Sequence, residues 1–167
     1  EAAMAAAARR GELTARLDEA LILADSLKAL RAAAATGPDA ATLAALERLG
    51  VAARARTGAK IVGVTGSVGK TSTKEMTARI FEQQGETLAT LGNLNNDIGV
   101  PLTLLRLRDE HQFGVFELGA NHAGEIAYTS GLVRPRAAVI INVGTAHLEG
   151  FGSREGIARA KSEIYDG

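Results

Sequence analysis

Cysteine is absent from all 167 residues of the chain, which excludes disulfides and thiolate metal sites and points to a reducing compartment. An excess of charge of either sign is also absent, because 19 Lys and Arg balance 19 Asp and Glu. A protein held to nucleic acid by charge needs a basic surplus to neutralise phosphate, so that class is set aside. No uncharged run is long enough to cross a bilayer. What remains is an ordinary globular balance, 46% apolar and 23% charged, and enough chain for one domain or for one domain with part of another. The chain opens on Glu1 and stops at "KSEIYDG" just past a helical pattern. It is therefore expected to be a piece of a longer protein.

Two textures divide the chain. Residues 1–57 are alanine-rich and carry no evident chemistry. "LILAD" (21–25) reads as a short strand and "SLKALRAAAA" (26–35) as a helix behind an N-cap serine. A Gly-Pro break at 37–38 and a capping Asp39 then open a second helical pattern that runs to residue 56. From Ala59 onward, strands and helices alternate. Strands are expected at 60–65, 87–91, 113–118 and 137–143, the last strongly buried. Helices are expected at 72–83, 97–107, 123–132 and 153–165, with Met76 and Ile80 sharing a face of the first. The fold class is therefore α/β: a parallel sheet flanked by helices and carrying a phosphate loop, preceded by a mainly helical segment.

Three polar segments follow three of these strands: "GSVGKTS" (66–72), "ELGANHAGE" (117–125) and "GTAHLEGFGS" (144–153). The carboxyl edge of an open α/β sheet is where ligands bind. The first segment nearly fits the phosphate-loop pattern G-x-x-x-x-G-K-[ST], but Val64 stands where the first glycine belongs. Gly66 and Gly69 permit a tight turn, and helix-start N–H groups attract anions. Lys70 supplies charge for phosphates and Thr71 a hydroxyl for Mg²⁺. Glu117 ends an apolar strand, as a strand-end charge or as a metal ligand. His147 and His122 lie in loops where a histidine is either bland or a ligand. His111, beside Asp109 and Glu110, reads as exposed. Lys161 is the odd residue of the last helix. It falls within the stripe of Ile157, Ala160, Ile164 and Tyr165, where a lysine must snorkel, find an acid or lose its charge.

"TGSVGKTSTKEM", "GNLNNDIGVPLTLLRL", "ELGANHAGEI" and "AHLEGFGS…AKSEI" occur in order over about residues 58–167. Together they closely resemble the Mur ligases, and specifically the branch that adds D-alanyl-D-alanine. The resemblance implies an ATP-dependent amide ligase of peptidoglycan precursor synthesis, cytoplasmic and monomeric, whose partners are UDP-MurNAc-tripeptide and D-Ala-D-Ala. Residues 1–57 would close a UDP-sugar-binding domain and form a helical linker, although the helix at 39–56 departs from the family pattern. Residues 58–167 would be the front half of the central ATP-binding domain. The resemblance assigns ATP to Gly66, Ser67, Val68, Gly69, Lys70, Thr71 and Ser72. It assigns Mg²⁺ to Thr71, Glu117 and His147, with Lys161 as a carbamylated lysine supporting the metal. Lys70, Lys161 and His147 would be catalytic, and Asn95, Asn96, Asn121 and His122 would lie near the substrate. A sister ligase of the folylpolyglutamate type and a nucleotide-binding fragment without activity remain alternatives. These residues alone are expected to be inactive.

Overall fold

A computed structural model describes Arg9, residues 39–144 and residues 148–166. The strand expected at 21–25 and the helix expected at 26–35 lie outside the described residues. Within the described stretch from residue 39 the first element is helix α1 (Ala40–Arg56), capped by Asp39, whose Oδ1 accepts from the Thr42 N–H at 2.8 Å. The alternation then follows: β1 (Lys60–Thr65), α2 (Lys70–Glu82), β2 (Thr87–Ala89), α3 (Gly99–Leu104), β3 (Phe113–Glu117), α4 (Glu125–Val133) and β4 (Ala137–Ile140). Two short helices, α5 (Leu148–Phe151) and α6 (Arg154–Ser162), lead to a 3-10 turn over Glu163–Tyr165.

The strands form one parallel sheet in the order β2-β3-β1-β4. Both faces are covered, as parallel sheets require. On one face Ile61, Phe116 and Leu118 pack with Val100 and Leu104 of α3, Ile126 and Val133 of α4, and Ile164. On the other, Val64 and Val115 meet Ala78 of α2. Because side chains alternate along a strand, Glu117 shares the α2 face with Val115, two residues earlier. The β1–β3 register sets Glu117 beside Val64.

Met76 and Ile80 share a face of α2 as the 3.6-residue spacing predicts, but that face is exposed, 60% for each residue, and Lys74 and Ala78 are the side chains that turn inward against the strands. Three expectations about burial are overturned. The apolar run at 137–143 is not deeply buried: among the described residues β4 is an edge strand paired only with β1, and Val139 is 39% exposed. His111 is buried, its Nδ1 accepting from the Arg108 N–H at 2.9 Å. Tyr165 also leaves its stripe and lies exposed, because the helix ends at Ser162 and the chain tightens into the 3-10 turn. Pro101 sits in the first turn of α3, where a missing N–H costs nothing.

Helix α1 docks on α3 and α4. The Arg54 Nε donates to the Val133 carbonyl at 2.7 Å, satisfying the end of α4. Gly50 faces Pro101, where an added Cβ would come within 3.1 Å of the Pro101 Cα. Gly50→Val gains only a few tenths of a kcal/mol in helix propensity, roughly. Overpacking is expected to outweigh that and destabilise the fold by about 1–3 kcal/mol. Urea denaturation checks this, and an unchanged midpoint would contradict the close approach.

Candidate functional site

The phosphate loop is four residues long, from Gly66 to Gly69, between the end of β1 and the start of α2. Val64 is an interior strand residue, buried against Val115 and Ala78. The departure from the strict glycine pattern is therefore a strand position, not a defect in the loop. Gly69 is the N-cap of α2 with φ 80°, a left-handed conformation that favours glycine. Among the described residues no side chain caps this helix end, and the N–H groups of its first turn are oriented for an anion. The Lys70 ammonium lies over the loop, 2.9 Å from the Gly66 carbonyl. Ser72 is exposed in the first turn.

Asn142, which sequence reasoning missed, holds the loop in shape. Its Oδ1 accepts from the N–H groups of Ser67 and Val68, both at 3.1 Å, and its Nδ2 donates to the Val68 carbonyl at 2.9 Å. The Gly144 N–H adds a bond to Ser67 Oγ. A lone amide directly after an apolar strand was the available signal. The loop is thus braced by the segment that follows β4, the neighbouring strand.

Glu117 is buried at the carboxyl end of β3, and both of its oxygens are engaged. Thr71 Oγ1 donates to Oε2 at 2.9 Å and Asn95 Nδ2 to Oε1 at 2.7 Å. The hydroxyl and carboxylate are hard oxygen donors, suited to Mg²⁺ rather than to a soft metal. Among the described residues, no group of three or more His, Cys, Asp or Glu could hold a metal ion. A cation here would have to share its shell with phosphate or water, as Mg²⁺ commonly does.

Next to this pair lies a cleft of about 220 Å³ whose lining includes Lys70, Asn95, Asn96, Asn121, Glu125 and Lys161. Lys161 is only 3% exposed. Burial first, and the neighbouring Lys70 charge second, lower its pKa to about 8. Asn96 also caps the start of α3, its Oδ1 accepting from the Gly99 N–H at 2.8 Å. His122 is not brought into the cleft; it is exposed and pairs with Glu125 at 3.0 Å. His147 lies outside the described residues. Glu163, another residue the sequence did not single out, accepts from the N–H groups of Gly124 and Ala127 and so fixes the start of α4.

The Mur ligase middle domain matches residues 64–167, more than half of the chain.

The chain belongs to the Mur ligase family.

Among the relatives within that family, the UDP-N-acetylmuramoyl-tripeptide–D-alanyl-D-alanine ligase of Escherichia coli is 63% identical over 109 residues, covering 65% of this chain and 24% of its own length. A crystal structure of MurF from Acinetobacter baumannii superposes with a TM-score of 0.72 at 57% identity, over 76% of this chain and 28% of that one. MurF ligase from Thermotoga maritima, solved in complex with ADP, gives 0.69 at 37% identity, over 74% of this chain and 29% of that one. The chain thus spans about a quarter of the length of the Mur ligases it matches.

Proposed function

We propose that this chain is the front half of the ATP-binding domain of a ligase that joins D-Ala-D-Ala to UDP-MurNAc-tripeptide, with residues before 58 closing a preceding UDP-sugar domain. The observation that carries the reading is the Thr71–Glu117 pair set between the phosphate loop and a cleft shared by Lys70 and Lys161. Similarity to ligases named for this reaction, and to one solved with ADP, supports the same reading.

In the proposed reaction, a tripeptide carboxylate oxygen attacks the γ-phosphorus of ATP and the bond to ADP breaks, giving an acyl phosphate. The amine of D-Ala-D-Ala then adds to the acyl carbon, loses a proton, and phosphate leaves. The first step brings two anions together, so its barrier is mainly electrostatic. Residues 66–72 would hold the β/γ-phosphates through backbone N–H groups, with Lys70 offsetting charge. Thr71 and Glu117 would hold Mg²⁺, with His147 at a second ion, and the metal when bound neutralises phosphate charge. Asn95, which already orients Glu117, and Asn96, Asn121 and His122 would lie toward the substrate.

Lys161 is suited to carbamylation, R–NH₂ + CO₂ → R–NH–COO⁻ + H⁺. Burial favours the neutral amine that CO₂ requires. The anionic product would face Lys70, replacing a repulsion by an attraction, and could serve a hard cation.

The test is phosphate release by the full-length protein. Release is expected only when ATP, UDP-MurNAc-tripeptide and D-Ala-D-Ala are all present. Release that ignores both acceptor and amine would overturn the assignment, and glutamylation of folate would give the site to the sister ligases.

A further inference from the structure

Lys74 is fully buried, at 0% exposure, the longest side chain so enclosed among the described residues, and the reaction above makes no use of it. An ammonium in the interior is costly unless it is paired and hydrogen-bonded, and an apolar residue of similar length would fill the space more cheaply. Its two partners among the described residues are unequal. Glu75 Oε1 lies at 2.6 Å, but the Glu75 side chain is more than half exposed. The other partner is the Thr90 carbonyl, also at 2.6 Å and wholly internal.

Thr90 follows β2 and is itself buried. Its N–H donates to the Val115 carbonyl at 3.0 Å, and its hydroxyl accepts from the Glu117 N–H at 3.0 Å. Glu117 returns to α2 through Thr71 at 2.9 Å. Thr71 and Lys74 stand three residues apart, on one side of the helix. The contacts therefore close a ring: Lys74 to Thr90, Thr90 to Glu117, Glu117 to Thr71, and back along α2. The four corners span three segments: the phosphate-loop helix, which carries two of them, the end of β2 and the end of β3. Glu117 is gripped at its backbone from one side and at its carboxylate from the other.

We infer that Lys74 is a positioning residue: by clamping Thr90 it sets the Glu117 carboxylate against Thr71, and it acts on metal–nucleotide binding through Glu117 without touching either ligand. The inference rests on the reading of Thr71 and Glu117 as the Mg²⁺ pair. Groups that orient a metal ligand from behind typically change metal affinity by about 10–100-fold when removed.

The experiment is a Mn²⁺ titration of the full-length protein by electron paramagnetic resonance, with a non-hydrolysable ATP analogue bound, alongside the Tm of each variant. Lys74→Met and Thr90→Val are each expected to weaken Mn²⁺ binding by about 10–100-fold. Their double variant should be no weaker than the worse single, because both break one chain of contacts. Thr90→Ser keeps the hydroxyl and should restore affinity. Leu107→Ala, a buried change in the core on the face of the sheet away from α2, should lower Tm without moving Mn²⁺ affinity. Wild-type affinity in Lys74→Met, beside a weakened Glu117→Gln, overturns the inference and leaves the metal pair standing. Unchanged affinity in Glu117→Gln removes the metal pair, and the inference with it. If Lys74→Met does not fold, Thr90→Val decides alone, and wild-type affinity there is fatal.

Discussion

Glu117→Gln in the full-length protein is expected to lower kcat/KM for amide formation by about 10²–10³-fold, the scale seen when one preorganised electrostatic group is lost. The variant is informative because its hydrogen bonds can survive. The amide oxygen can still accept from Asn95, and the amide nitrogen can donate to Thr71 Oγ1 in place of the present bond. The buried site then keeps its partners and loses only its negative charge. Tm should hold or rise slightly, since an ionised carboxylate no longer has to be desolvated. Steady-state phosphate release and scanning calorimetry on the same preparation separate the two effects. A kcat/KM within tenfold of wild type at saturating Mg²⁺ would show that the charge of Glu117 is not used.

Lys161→Met should be nearly as damaging, again by about 10²–10³-fold, and its signature lies in CO₂ and pH. With a pKa of about 8, roughly one-tenth of the amine is neutral at pH 7, against roughly one part in three thousand at the ordinary 10.5. At fixed dissolved CO₂, wild-type activity is expected to rise with pH and level off above about pH 8; an ordinary lysine would keep gaining toward 10.5. Removing CO₂ should depress the wild type and leave the residual activity of Lys161→Met unchanged. The folding linkage has its own sign. The folded pKa lies below the unfolded one, so the unfolded chain binds the extra proton between about pH 8 and 10.5, and stability rises with pH across that window. In CO₂-free buffer, Lys161→Met should therefore melt higher than wild type at pH 7 and lose that advantage by pH 10.5. A wild type indifferent to CO₂ would remove the carbamate from the mechanism.

The parallel sheet and the glycine loop at the carboxyl end of β1 were legible because they depend on local signals. The β-branched run of β1, the glycines after it and the helical spacing beyond Lys70 each declare themselves within a few residues. The Thr71–Glu117 pair was reachable only through the family resemblance, since the two are 46 positions apart and neither is unusual alone. Lys161 was visible because it interrupts an apolar stripe. Lys74 was invisible for the converse reason. Met76 and Ile80 offered a more apolar face, and only the placement of the neighbouring strands decides which side of α2 turns inward. Asn142 and Glu163 were missed because both satisfy backbone N–H groups of distant segments, and such partners have no sequence spacing. Element ends also shifted. The strand expected at 137–143 narrows to Ala137–Ile140, where pairing with β1 stops, and the helix expected at 97–107 narrows to Gly99–Leu104.

The pairing of β3 with β1, Val64 beside Glu117, carries a consequence for how the protein can fail. A slip of one residue would bring Phe116 or Leu118 to the level of Thr71 and turn the carboxylate to the opposite face. Such a molecule would retain a sheet, a phosphate loop and a melting transition, and would have no carboxylate to offer a cation. If Glu117 acts as proposed, accurate strand alignment during folding would be a condition of activity in its own right, and a fully soluble preparation could still contain a catalytically silent fraction.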